Sequence, residues 1–195
     1  MDNDDSSDDT YESYEDYELS NNIDFISVMC LFFFSMTLII VGLNYMNNSM
    51  NMFDATGTEY TIFKIVAGAL LIAMAYYAGK NDMITEGMLI GMWGVSIFIF
   101  GLSAWYGFDG FFLINVMIGI GTLVATIILF ATYNILSGIS SLLMAIAFLV
   151  LSLFNGDTSI LIAGIALLVS GIIFLYQAIG NWIFLETEKD VLPVL

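Results

Sequence analysis

Residues 158–184 read TSILIAGIALLVSGIIFLYQAIGNWIF, a stretch without a single charged side chain. A helix of about 20 apolar residues spans a hydrocarbon core of about 30 Å, so this stretch is long enough to cross a bilayer. Its apolar residues do not alternate with polar ones, which removes the strand of a closed barrel. Five runs of the same kind precede it, near residues 25–46, 61–79, 84–105, 110–131 and 135–154. Between them lie NNSMNMFDATGTEY, GKNDMIT, YGFDG, TYNILS and NGDTS, with the Asn-Gly and Gly-Asp pairs that form turns. The expectation is an all-α integral membrane protein of six transmembrane helices, with both termini on one side.

Composition agrees. Of the 195 residues 59% are hydrophobic and 11% charged, whereas soluble domains carry about 25% charged residues. The net charge of −16 is unevenly spread, and ten of the 19 acids precede residue 25. Residues 1–23, MDNDDSSDDTYESYEDYELSNNI, hold too little apolar area to offset the entropy of ordering. They are expected to form a disordered acidic tail ahead of a transmembrane domain at 24–195. Tyr11, Tyr14 and Tyr17 fit a solvated tail or a partner motif. The acidic flank does not fit a secretory signal, which needs a basic one.

Several chemistries are excluded. There is no histidine, and the single cysteine, Cys30, sits in an apolar run. No metal site, disulfide or Ser-His-Asp triad follows from such a set. The three bases are Lys64, Lys80 and Lys189, too few for a nucleic-acid partner. No enzyme activity and no cofactor are expected. Lys80 and Lys189 share one side of a six-span topology and Lys64 lies towards the other, which favours cytoplasmic termini in the cell membrane.

Glycines recur on single helix faces. Gly87, Gly91, Gly94 and Gly101 are spaced 4, 3 and 7, and Gly164, Gly171 and Ala178 are spaced 7 and 7. Such faces let helices approach closely in lipid; a pore-lining role is the secondary reading. The only proline, Pro193, stands in ETEKDVLPVL at the chain's end, so all six spans are free of this helix breaker.

The last span and tail carry Ala163 and Gly164, then Gly171, Tyr176, Ala178 and Gly180, then Lys189, Val191, Leu192 and Pro193. This pattern resembles the C-terminal helix of the acetate uptake transporters, the succinate–acetate permease family. FSMT at Phe34 to Thr37 is similar to that family's first helix. AGKNDMITEGMLIGMWGVSIF, with Asn81 on a family asparagine, resembles the segment that follows the family's GN-T-F turn, and ILSGISSLLMAIAFLVLSL resembles its fifth helix. The signature NPAPLGL is absent, its place held by FISVMCL, and an acidic residue of the second helix falls near Tyr76.

The resemblance implies six-helix protomers assembled as hexamers, each with its own pathway for acetate-like monocarboxylates or succinate. It places Phe34 and Leu142 at a constriction of that pathway. The family's constriction tyrosine falls at Ile90 or Gly91, so the path should be wider or more apolar there. Ordinary helix packing is the other reading of Phe34 and Leu142. Polar groups available in the body include Asn115, Thr122, Thr126, Ser137, Ser140, Ser141 and Tyr176. Lys64 either attracts an anion at the outer mouth or snorkels to the interface. Glu86 is the carboxylate nearest a helix interior, or it faces a loop. Three functions follow: a monocarboxylate transporter or channel, proton-linked or passive; a channel for neutral solutes of the urea type; and a non-transporting membrane partner.

Overall fold

The computed structural model describes residues 9–191 except 51–57, 81–83, 107–110, 133 and 155, with side chains within 25–47, 60–80, 84–106, 115–132, 134–154 and 156–183. Among the described residues the elements are six α-helices: α1 (Asp9–Met50), α2 (Thr58–Lys80), α3 (Ile84–Tyr106), α4 (Phe111–Ala131), α5 (Ile135–Leu153) and α6 (Asp157–Val191). Each expected span coincides with one of them. Five hold stretches long and apolar enough to cross a membrane: Phe25–Asn47, Tyr60–Lys80, Ile84–Tyr106, Ile135–Leu153 and Asp157–Ile183. In α4 the apolar stretch is the shorter Asn115–Ala131.

The ends of the chain depart from expectation. Helix α1 begins at Asp9, so the backbone is helical over residues 9–23 of the stretch expected to be disordered. Residues 1–8 lie outside the described residues. No glycine or proline interrupts 9–41, and a helix already nucleated in the span extends by one hydrogen bond per residue fixed. Helix α6 likewise continues through ETEKD to Val191. Leu192, Pro193 and Val194 lie outside the described residues.

Short links make sequence neighbours antiparallel. Asn134 caps α5, its side chain accepting from the Ser137 N–H at 3.4 Å. Gly156 opens the way into α6 at φ +135°, a conformation that glycine adopts without the penalty of a Cβ. The helices form a ring in which α1 packs on α6, α6 on α5, α5 on α4, α4 on α3 and α3 on α2, with α2 touching α1 only lightly. Phe25 of α1 meets Trp182 of α6 with ring centroids 5.4 Å apart. The start of α1 and the end of α6 therefore share one end of the bundle, the terminal end. The end of α2 at Lys80 lies there too. The opposite end is the far end.

Glycines set the closest approaches. A Cβ on Gly164 would lie 2.9 Å from the Gly42 carbonyl oxygen and 2.9 Å from the Met46 nitrogen. On Gly171 it would lie 2.9 Å from the Ser35 oxygen, and on Gly94 3.0 Å from the Ile72 nitrogen. Gly87, Gly94 and Gly101 thus seat α3 on α2, while Gly164 and Gly171 seat α6 on α1. The helix-contact reading of both stripes holds. Large apolar side chains cover the outside, among them Met117, Ile127, Ile135, Ile172 and Ile183. A soluble monomer rarely exposes so continuous an apolar surface. This exterior suits lipid.

Candidate functional site

The ring's centre is an aromatic waist. Phe34 of α1 and Phe174 of α6 meet with centroids 5.0 Å apart. Trp93 of α3 meets Phe148 of α5 edge-on at 5.7 Å. All four are at most 2% exposed. The Trp93 indole N–H donates to Thr37 Oγ1 at 2.9 Å, bridging α3 to α1 across the ring. Phe34 and Ile90, both expected on the pathway, belong to this core. Gly91 does not: its missing Cβ would sit 3.1 Å from the Ala75 Cβ on α2. The position expected to be wider is therefore helix contact, and Ile90 beside it is 1% exposed.

Leu142 lies apart from Phe34. It is 36% exposed and stays outside the core that holds Phe34. The physical reason is helix phase. On α5 the buried face runs through Ser137, Ser141, Met144, Phe148 and Ser152, while Ile135, Ile139, Leu142 and Ile146 line the opposite face. Tyr176, expected among the interior donors, also points outward, at 70% exposed.

Several interior hydroxyls fasten helices together. Ser140 Oγ donates to the Ser170 carbonyl at 2.7 Å, and the Ser170 hydroxyl lies 2.9 Å from the Ser140 carbonyl, clasping α5 to α6. Thr126 donates to the Thr122 carbonyl at 2.8 Å and lies 2.9 Å from Ser141 Oγ, joining α4 to α5. Ser137 donates to Gln177 Oε1 at 2.9 Å. Hydrogen bonds of this kind hold helices in lipid, where burial of apolar area drives little. Some buried groups are exceptions, Tyr60 Oη among them. Ser96 Oγ on α3 and Asn115 Oδ1 on α4 have no hydrogen-bond partner, although their residues are 1% and 4% exposed. Glu86 lies in the first turn of α3, where a carboxylate suits the helix dipole.

The far end is polar. The buried face of α1 closes there on Asn44, that of α3 on Ser103, that of α4 on Asn115, that of α5 on Ser152 and that of α6 on Ser159. On α2 the corresponding face carries Tyr60 and Lys64, then Ala67, Leu71 and Ala78 at helical spacing. Lys64 is partly buried beside α3, its Cβ 3.2 Å from where a Cβ on Gly101 would lie. Its ammonium reaches back over the Tyr60 ring towards the far end, which fits both the anion-attracting and the snorkelling reading. At the terminal end the same faces close mainly on apolar or small side chains such as Ala78, Leu129 and Ala178.

The aromatic waist was not legible as a unit in the sequence, because Trp93 and Thr37 lie 56 residues apart. One local signal exists: Trp93 stands beside Gly94, next to a glycine face suited to close helix contact. Comparison of the chain with protein-family models, with curated proteins and with solved structures finds no match.

Proposed function

We propose that the chain is a six-span protein of the cell membrane, with cytoplasmic termini, that passes small acetate-like monocarboxylic acids along its helix ring. The observation that carries this reading is the pair of unpartnered buried groups, Ser96 Oγ and Asn115 Oδ1. Buried polar groups in proteins are nearly always hydrogen-bonded, and each exception calls for a reason. A carboxylic acid supplies both a donor and an acceptor for them. The C-terminal resemblance contributes the substrate class and a hexameric assembly. The waist is aromatic and holds no cation, and a bare charge at membrane depth costs roughly 2.5–3.5 kcal/mol on insertion scales. The acid therefore crosses protonated, and its flux is linked to protons. The lack of a cation at the waist equally favours neutral amides, so a urea-type channel is the second reading.

The test is uptake of labelled acetate into proteoliposomes with and without an inward proton gradient, against empty liposomes and against urea. Uptake above the control that grows with the gradient is the expected result. Urea flux without acetate flux supports the second reading, and flux of neither overturns both. A second prediction follows from the same observation. Asn115→Leu removes an unsatisfied buried amide, whose desolvation costs about 1–3 kcal/mol. The variant is expected to be as stable as the wild type or more so in detergent denaturation, yet to lose acetate flux. A purely structural Asn115 would leave flux unchanged.

A further inference from the structure

Lys64 is the lone cation within the six expected spans, and it is partly buried where α2 packs on α3. Its ammonium lies 4.3 Å from the centroid of the Tyr60 ring, one turn back towards the far end. It has no carboxylate partner among the described residues. Tyr60 Oη has no hydrogen-bond partner either. The Asn44 side chain of α1 sits beside that hydroxyl without the geometry of a hydrogen bond. An ionisable group that faces a bundle interior at membrane depth ordinarily has a partner or marks a solute path. Among the described residues this place holds a cation, a phenol and an amide on adjoining helices, and no anion.

We propose that Lys64, Tyr60 and Asn44 form a binding site for a small monocarboxylate at the far mouth of the bundle. The Lys64 ammonium pairs with the carboxylate, the Tyr60 hydroxyl donates to its second oxygen, and the Asn44 amide supplies a further donor. Charge-assisted bonds of this kind are roughly twice as strong as neutral ones. A local cation is what lets the mouth collect anions. The choice of a carboxylate rests on the transport reading above. The geometry itself asks only for a compact anion with two acceptor oxygens.

The experiment is binding of carbon-13 acetate to the purified full-length protein in micelles, followed by broadening of its methyl resonance. Acetamide, its neutral counterpart in shape, is the control. Acetate should bind the wild type, and Lys64→Met should weaken it about tenfold or more. Lys64→Arg should restore most of the affinity, and Tyr60→Phe should cost a smaller factor. Acetamide should not distinguish the variants. Failure of acetate to bind the wild type overturns the site, as does equal binding by Lys64→Met. Should Lys64→Met not fold, the Tyr60→Phe and Lys64→Arg comparison decides alone. Uptake measurements separate the two proposals. Lys64-dependent binding without flux keeps the site and removes transport, whereas flux indifferent to Lys64 keeps transport and removes the site.

Discussion

Valine in place of Gly164 is expected to separate α1 from α6. The new Cβ would stand 2.9 Å from the Gly42 oxygen, the Met46 Cγ and the Met46 nitrogen. Two of these are backbone atoms of a helix, which cannot rotate away as a side-chain tip can. Overpacking costs typically about 1–3 kcal/mol and occasionally more. The upper part of that range applies here, because the helices must move apart along much of their contact. That contact also carries Gly171 against Ser35 and Ile39, and in lipid such packing is the main source of association. Denaturant titration in bicelles, followed by tryptophan fluorescence, reads the loss. Gly79 and Gly180 are the controls, since nothing lies within 4 Å of a Cβ at either. Gly79→Ala and Gly180→Ala should match the wild type or gain stability, because alanine is the better helix former. Equal stability of Gly164→Val and wild type would show that this helix pair is not packed as described.

Trp93→Ala carries the other large expectation. The indole is 2% exposed and joins three helices, through its bond to Thr37 on α1 and its edge contact with Phe148 on α5. Truncating a buried Trp to Ala costs about 3–5 kcal/mol. Inside a membrane the cost comes from lost packing contacts more than from transfer out of water. Trp93→Phe separates the contributions. It keeps most of the ring and removes only the N–H, for a loss of about 1 kcal/mol. Thr37 tolerates that change, since its own hydroxyl still donates to the Phe34 carbonyl at 2.7 Å. The same variants test the pathway. If the solute passes the waist, Trp93→Ala reconstituted at low temperature should admit larger monocarboxylates than the wild type does. Unchanged size selectivity would remove the waist from the path.

The spans were legible because the sequence marks their ends with charge and with turn formers, as at Lys80, Asn134 and Gly156. The glycine contacts were legible because a small residue at helical spacing has one strong physical use in lipid. The facing of large residues was not. In a soluble helix Leu142 would be sorted to the core by hydrophobicity. In a helix with lipid on one side and protein on the other, both faces are apolar, so Leu142 outside and Met144 inside read alike. Which hydroxyls would be consumed in pairs was hidden as well. Ser140 finds Ser170 and Ser96 finds nothing, and a helix wheel cannot separate the two cases.

The contact between α1 and α6 also has a consequence for biogenesis. Helix α1, made before the other five, has its close partner in α6 and only grazes α2, its immediate successor. The hairpins α2–α3 and α4–α5 can zip up during synthesis, while the Gly42 face of α1 waits in the bilayer until α6 arrives. Ring closure thus waits until α6 has been made, and a product that stalls before Gly164 exposes an unmatched helix to quality control. By the same logic a circular permutant that fuses the end of α6 to the start of α1, and opens the link between Met50 and Thr58, cuts the chain at its weakest seam and makes the last partner the nearest neighbour.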